Sequence, residues 1–97
     1  MRIIAKRTLR EYWERHADAE QSLRAWHEEA KQAHWGTPEQ VKQRYPKASI
    51  IANNRVVFNI KGNVYRLVVH IRYDHGSVYI RFIGTHTEYD RIDSGTV

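Results

Sequence analysis

The chain has 97 residues, with 16 lysines and arginines against 11 aspartates and glutamates, which gives a formal net charge of +5 at pH 7. This length predicts one small domain over residues 1–97 and excludes a multidomain enzyme with a separate cofactor domain. The absence of cysteine excludes thiolate chemistry and disulfides, and the absence of a long apolar run predicts a soluble, cytoplasmic chain without a membrane segment.

The first half of the sequence predicts a short edge strand followed by helices. Residues 2–6 are mostly apolar, and Thr8 and Asp18 are candidate N-caps for two amphipathic helices. The run Thr37-Pro38-Glu39-Gln40 is typical of a capping box with proline at the first helical position. We therefore expect two to three helices, over residues 8–17, 19–35 and 38–45.

From Ser49 onward the apolar period changes from about 3.6 to 2, which predicts strands. The candidate strands cover residues 49–52, 55–61, 64–73 and 77–83, and Gly62-Asn63 and His75-Gly76 are tight-turn signals between the last three. The sequence therefore predicts an α+β domain in which the helices pack on one face of a twisted antiparallel sheet.

The two turns also predict a pairing register. With Gly62-Asn63 as the first loop, Phe58 faces Leu67, and with His75-Gly76 as the second, Ile71 faces Ile80 and Val69 faces Phe82. One face is then apolar, and Thr85 lies opposite Arg66 on the other. That other face collects cations and hydrogen-bonding groups without a carboxylate: Arg55, Asn59, Lys61, Arg66, His70, Arg72, Tyr79 and Arg81.

Such a face is either an ordinary solvated surface or a phosphate-binding one. Adjacent cations without interleaved carboxylates repel one another, which favours a bound anion, and phosphates of nucleic acid fit the net charge. The asparagine, tyrosine and histidine groups suit single-stranded RNA better than duplex DNA.

The segment Gly84 to Asp90 (GTHTEYD) follows the last predicted strand and is rich in proton-transfer groups. We expect His86 at the edge of the cationic face, where a histidine, a phenol and a guanidinium meet the needs of RNA cleavage by the ribose 2′-hydroxyl. Two structural alternatives stay open: His86 as a turn histidine and Tyr89 as a packing residue. The six histidines show no metal-ligand spacing, so we expect no metal and no cofactor.

The stretches NIKGNVYRL (residues 59–67) and GTHTEYD resemble those of HigB-type toxins in the RelE/ParE superfamily. The resemblance implies a RelE-like fold and a ribosome-dependent mRNA endonuclease that acts in the A site. It also implies a HigA-like helix-turn-helix antitoxin, through which alone the toxin would meet operator DNA. A non-catalytic module, either a gyrase-directed ParE-like toxin or a plain RNA-binding protein, is the alternative.

Matched to the family's pattern, the implied catalytic residues are Lys61, Arg66, His86 and Tyr89. The face that surrounds them supplies the candidate RNA-binding residues: Arg55, Asn59, His70, Arg72, Tyr79 and Arg81.

Overall fold

The computed structural model, which describes residues 1–97, contains five strands and four α-helices. The strands are β1 (Arg2–Ile4), β2 (Ser49–Ile51), β3 (Arg55–Ile60), β4 (Tyr65–Arg72) and β5 (Ser77–Thr85). The helices are α1 (Lys6–Arg15), α2 (Glu20–Gln32), α3 (Pro38–Arg44) and α4 (His86–Tyr89), with a 3₁₀ turn at Ala17–Ala19 between α1 and α2.

The strands form one sheet in the order β1-β5-β4-β3-β2. The α+β class is confirmed, but the sheet is mixed rather than antiparallel throughout, because β1 runs parallel to β5. A parallel pair needs a long crossover connection, and the three helices between β1 and β2 provide the first part of it. The edge position expected for the first strand is confirmed.

The register predicted for the first hairpin is confirmed. Phe58 pairs with Leu67, Asn59 with Arg66, and Ile60 with Tyr65. The turn differs in one respect: Lys61 itself has a positive φ of 52° ahead of Gly62 at 63°. Since a positive φ breaks the alternation of side chains along a strand, Lys61 does not continue the face of Asn59.

The register predicted for the second hairpin is wrong. Ile71 pairs with Val78 and Val69 with Ile80, so the strands are shifted by two residues, which leaves these side chains on the apolar face. A β-bulge at Val68/Val69 then moves the rest of β5 by one residue. Phe82 consequently pairs with Val68 on the face away from the helices, while Ile83 packs against the core.

Two helix starts differ from the prediction. Helix α1 begins at Lys6, after Ala5 with a φ of 77°, so Thr8 lies inside the helix rather than capping it. Asp18 lies in the 3₁₀ turn and its side chain does not cap α2.

The end of α2 and the start of α3 also differ from the prediction. Helix α2 ends at Gln32, before the predicted end, because Ala33 is extended. Thr37 caps α3 as expected, but Gln40 accepts from the backbone N–H of Gly36 instead of closing the capping box.

The core lies between the helices and the apolar face of the sheet. Trp26 of α2 contacts Phe58 of β3 edge-on, with ring centroids 5.3 Å apart, and both side chains are almost fully buried. Burying a side chain of this size contributes roughly 1.5–3 kcal/mol to folding, so these rings and their neighbours fix how the helices sit on the sheet. Among the helices of the molecule, none has the length and apolar character needed to cross a membrane.

The face of the sheet away from the helices, here called the outer face, is partly covered. The C-terminal residues 90–97 run from the end of β5 to the start of β3, where Asn53 Nδ2 donates to the Gly95 carbonyl (2.8 Å) and Arg55 Nη2 donates to the Val97 carbonyl (2.9 Å). Val57 and Val68, midway along this face, are buried. The middle of the outer face is therefore not open to a ligand.

Candidate nucleic-acid interface

The predicted site residues fall into two groups at opposite ends of the outer face. Asn59 and Arg66 pair next to the β3–β4 turn, whereas His70 pairs with Arg55 and with Tyr79 near the other end. Arg66 and His70 are four residues apart on β4, which corresponds to about 13 Å. We call the first group the turn end and the second the arginine cluster, which comprises Arg55, His70, Arg72, Tyr79 and Arg81.

The arginine cluster is strongly positive around His70. Burial lowers the pKa of His70, and the guanidinium groups of Arg55, Arg81 and Arg72 lower it further. These surroundings favour the neutral imidazole, and Tyr79 lies beside it at a centroid distance of 6.0 Å. Arg81 is exposed at the bulge and lies over the Tyr79 ring, 5.6 Å from its centroid. This end offers cations and ring faces together, which suits an RNA strand.

No carboxylate lies among the strand residues of this face, as expected, but one in the following turn reaches an arginine of the cluster. Arg72 Nε lies 3.5 Å from Asp74 Oδ1 in the turn that follows β4. The Arg55 guanidinium donates hydrogen bonds to the backbone oxygens of Asn53 and Val97. Since both arginines already have partners, Arg81 is the member of the cluster with the most freedom to meet a phosphate.

At the turn end, Arg66 is half-buried and its Nη1 donates to the Asn63 carbonyl at 3.1 Å. Gly84, not Thr85, lies opposite it on β5. A Cβ at Gly84 would be 2.6 Å from Cζ of Phe82 and 3.0 Å from a carboxylate oxygen of Glu88. Glycine at this position therefore allows an aromatic ring and a carboxylate to approach the strand beside Arg66.

Lys61 lies at the same end but on the helix side of the sheet. Its Nζ is 3.0 Å from Asp18 Oδ2, and the Tyr65 hydroxyl donates to Asp18 Oδ1 at 2.6 Å. The bonds from Tyr65 and Lys61 lower the pKa of Asp18, and the carboxylate in turn raises the pKa of Tyr65 to about 12. The placement of Lys61 on the outer face was therefore wrong, because its positive φ turns the side chain to the other side.

The bond between Tyr65 and Asp18 predicts a titration shift. In Asp18→Asn we expect the Tyr65 pKa to fall from about 12 towards the ordinary value near 10, because the neutral amide no longer favours the protonated phenol. In the unaltered chain the raised pKa stabilises the fold fully below pH ~10, and this contribution is lost as the pH rises through 12. Phenolate absorbance measures the shift, with Tyr65→Phe to identify the group; an identical curve for Asp18→Asn contradicts the bond.

His86 and Tyr89 lie on the short helix α4, which sequence analysis had treated only as a strand end. The Thr85 hydroxyl accepts from the Glu88 N–H (3.2 Å), and the Glu88 carboxylate accepts from the Thr85 N–H (2.8 Å), which closes a capping box. The sequence pattern Thr85-x-x-Glu88 is the usual signature of a capping box, so the start of this helix could have been predicted. The backbone bond from Thr85 is the main cause that lowers the pKa of Glu88.

The capping box places His86 at the same end of the sheet as Arg66. Arg66 pairs with Gly84, and His86 follows two residues later, so the two residues occupy diagonal rather than directly opposite positions. The His86 ring is about half exposed, with Nε2 3.5 Å from Asp90 Oδ1. The Tyr89 hydroxyl donates to Ser94 Oγ at 3.4 Å, which ties it to the C-terminal residues. A histidine, a guanidinium and a phenol are thus held at one end of the outer face.

Removing the cap should loosen this end of the molecule. For Thr85→Ala we expect a loss of about 0.5–2 kcal/mol in the free energy of unfolding, measured in urea, because the Glu88 N–H loses its acceptor. The ionised Glu88 carboxylate contributes its part of the stability at pH values above its unfolded pKa near 4.3. This contribution is lost as the pH falls through the lowered pKa of the folded state. Thr87→Ala, on the same helix but outside the box, is the control; equal losses in both variants contradict the assignment.

Comparison with known proteins assigns this chain to a class. A model of the HigB toxin family, described as the RelE-like toxic component of a toxin-antitoxin system, matches residues 19–92. The mRNA interferase toxin HigB of Escherichia coli strain K12 is 27% identical over 92 residues, which cover 93% of this chain and 88% of that protein. The mRNA interferases HigB of Escherichia coli O157:H7 and Shigella flexneri show the same identity and coverage.

The molecule is thus a RelE-like toxin, and the α+β architecture with its RelE-like character is confirmed. This chain belongs to the HigB toxin family. As the toxic component of a toxin-antitoxin system, it has an antitoxin as its partner. The resemblance found in the sequence is confirmed, while the roles of the individual site residues stay predictions.

Proposed function

We propose that this toxin is an mRNA interferase, a ribosome-dependent endoribonuclease that cleaves translated mRNA, as the printed names of its relatives indicate for them. The observation that carries the proposal is that Arg66 and His86 lie at the same end of β4 and β5, with Arg66 paired to Gly84 and His86 two residues further along the chain. A proton-transfer group and a phosphate-binding fork at that spacing suit one phosphodiester.

The proposed reaction needs no metal. The ribose 2′-hydroxyl loses its proton and attacks the adjacent phosphorus, the bond to the 5′-oxygen of the next nucleotide breaks, and that oxygen takes up a proton. The products are a 2′,3′-cyclic phosphate and a free 5′-hydroxyl. His86 and Tyr89 exchange the protons, whereas Arg66 stabilises the charge on the phosphoryl oxygens. Lys61 lies at the rim of the same end with its ammonium paired to Asp18, so in this role it would leave that carboxylate for the phosphate.

The outer face also offers contacts for the mRNA on either side of the cleaved phosphate. We assign mRNA contacts to Asn59 at the turn end and to the arginine cluster at the other end of the outer face. Because the C-terminal residues cover the middle of that face, the strand reaches the cluster around them rather than along the sheet.

The proposed partners are the ribosome with mRNA in its A site and a HigA-like helix-turn-helix antitoxin that silences the toxin. The toxin would meet operator DNA only through that antitoxin. We place the protein in the cytoplasm, where translating ribosomes are, and treat residues 1–97 as one domain.

Mapping of mRNA ends tests the proposal. The purified chain is incubated with translating ribosomes, and the 5′ ends are compared with those from the same mRNA without ribosomes. We expect new ends at A-site codons only in the translated sample, and we expect co-expressed antitoxin to relieve growth inhibition. Absence of new ends in both samples would favour a non-catalytic toxin, and equal cleavage of free mRNA would remove the ribosome requirement.

The arginine cluster predicts a graded response to salt. We expect Arg81→Ala to reduce the slope of log affinity for RNA against log salt by about 1, because Arg81 is exposed and has no carboxylate partner. Arg72→Ala should change the slope less, since Asp74 already neutralises that side chain in part. Binding of a labelled oligoribonucleotide over a salt series measures both; equal slopes for all three proteins would remove the cluster from the interface.

A further inference from the structure

A groove of about 630 Å³ lies beside the turn end, between the loop from α3 to β2 and the β3–β4 turn. Its size is within the range of about 300–1,000 Å³ that is usual for small-molecule sites. It lies along the edge of β3 that β2 leaves uncovered, on the side away from β4. The lining residues come from both sides: Arg44, Tyr45, Pro46, Lys47, Ala48, Phe58, Asn59, Gly62 and Asn63.

The groove exists because β2 is shorter than β3. The pairing of the two strands ends at Ser49 with Val57, so β3 continues from Phe58 without a β2 neighbour. Lys42 holds the facing loop in place, because its Nζ donates to the carbonyls of Pro46 (2.7 Å) and Ala48 (2.8 Å). The loop wall is therefore fixed before any ligand arrives.

One side of the groove is aromatic and equally fixed. The Tyr45 ring meets Phe58 edge-on at 5.0 Å, and its hydroxyl donates to Glu29 at 2.6 Å. The Arg44 guanidinium is paired with the same Glu29 and lies over the Tyr45 ring, 5.1 Å from its centroid. A stacked guanidinium presents its second planar surface to a base.

Three polar side chains that line the groove have no partner in the protein. Lys47 is exposed and has no carboxylate within 4.0 Å, and the side-chain amides of Asn59 and Asn63 make no hydrogen bond. No carboxylate lines the groove. A free ammonium suits a phosphate, while two free amides can donate to and accept from the edge of a base.

We propose that this groove binds one nucleotide of the mRNA next to the phosphate that is cleaved. The proposal rests on the nuclease function proposed above and adds to it a subsite for the substrate. The groove is continuous with the turn end, since Asn59 pairs with Arg66 and Arg66 Nη1 donates to the Asn63 carbonyl. Lys47 binds the phosphate of the nucleotide, Asn59 and Asn63 bind the base edge, and Arg44 stacks on the base.

The test uses a 2′-O-methyl trinucleotide, which the toxin cannot cleave because the attacking hydroxyl is blocked. We expect the amide NMR signals of Asn59, Gly62 and Asn63 to shift on titration. We expect Lys47→Glu to weaken binding about tenfold and to lower the salt slope by at least about 1. Lys31→Glu makes the same change of charge on helix α2 and should stay within about twofold of the unaltered chain.

Several outcomes overturn the proposal. Equal weakening by Lys47→Glu and Lys31→Glu would show a general charge effect, and no NMR shift at millimolar trinucleotide would show that the groove is empty of RNA. Loss of antitoxin binding by Lys47→Glu with unchanged trinucleotide binding would assign the groove to the antitoxin.

The assay on ribosomes separates this proposal from the function on which it rests. If the unaltered chain cleaves translated mRNA and Lys47→Glu binds the trinucleotide normally, the groove proposal fails and the nuclease stands. If the unaltered chain does not cleave but binds the trinucleotide through Lys47, the nuclease proposal fails and the groove remains a nucleotide site.

Discussion

His86→Ala should lower the rate of mRNA cleavage on ribosomes by about 10²- to 10⁴-fold, the usual cost of losing a positioned proton-transfer group. The imidazole is about half exposed on α4 and makes one weak contact, Nε2 to Asp90 at 3.5 Å, so it can turn towards a leaving oxygen. Ribosome association should not change, because the arginines of the outer face remain in place. Single-turnover cleavage measures the rate, and co-sedimentation with ribosomes measures the association.

His34→Ala is the matched control, because His34 lies between α2 and α3, away from the outer face. It should cleave at the rate of the unaltered chain. Full cleavage by His86→Ala would place the chemistry on another residue, with Tyr89 on the same helix as the next candidate. Loss of ribosome association by His86→Ala would instead make this histidine a binding residue.

Arg66→Ala should lower single-turnover cleavage by about 10²- to 10³-fold, with only modestly weaker binding. The half-buried guanidinium is held by the Asn63 carbonyl, and its remaining donors can form a fork to the phosphoryl oxygens as charge develops. Arg66→Lys should recover little of the rate, because an ammonium is a point charge and lacks the planar fork.

Arg10→Ala, an exposed arginine on α1, controls for the loss of one positive charge. If Arg10→Ala and Arg66→Ala lowered cleavage equally, net charge rather than position would explain the effect. If Arg66→Lys cleaved at the full rate, a single positive charge at this place would be sufficient.

The first hairpin was predictable from the sequence, because its core pairs, such as Phe58 with Leu67, fit only one register across a short turn. The second was not. A shift by two residues leaves Ile71 and Ile80 on the apolar face, so hydrophobic alternation cannot detect it. The extra residue of the bulge is Arg81, and the pairs on either side of it, Val68 with Phe82 and Val69 with Ile80, are both apolar, so the hydrophobic pattern does not reveal it.

Two features of the site also escaped prediction for identifiable reasons. Lys61 leaves the outer face through a single positive φ, which a residue other than glycine seldom adopts. Asp18 looked like a helix cap, yet it binds Tyr65 and Lys61 across 47 and 43 residues of sequence, contacts that only the tertiary fold creates. The capping box of α4, in contrast, is a local motif and was readable.

The parallel pairing of β1 with β5 has a consequence for synthesis. Arg2 pairs with Ser77 and Ile3 with Val78, so β1 cannot pair until a strand 75 residues further along the chain has been synthesised. Contacts of such large sequence separation form late and slow folding, while chains emerge from the ribosome with their N-terminal end first. The sheet edge therefore closes only after residues 77–79 have been synthesised, and α4 forms later still, so a chain that is elongated only as far as β4 has neither the closed edge nor His86.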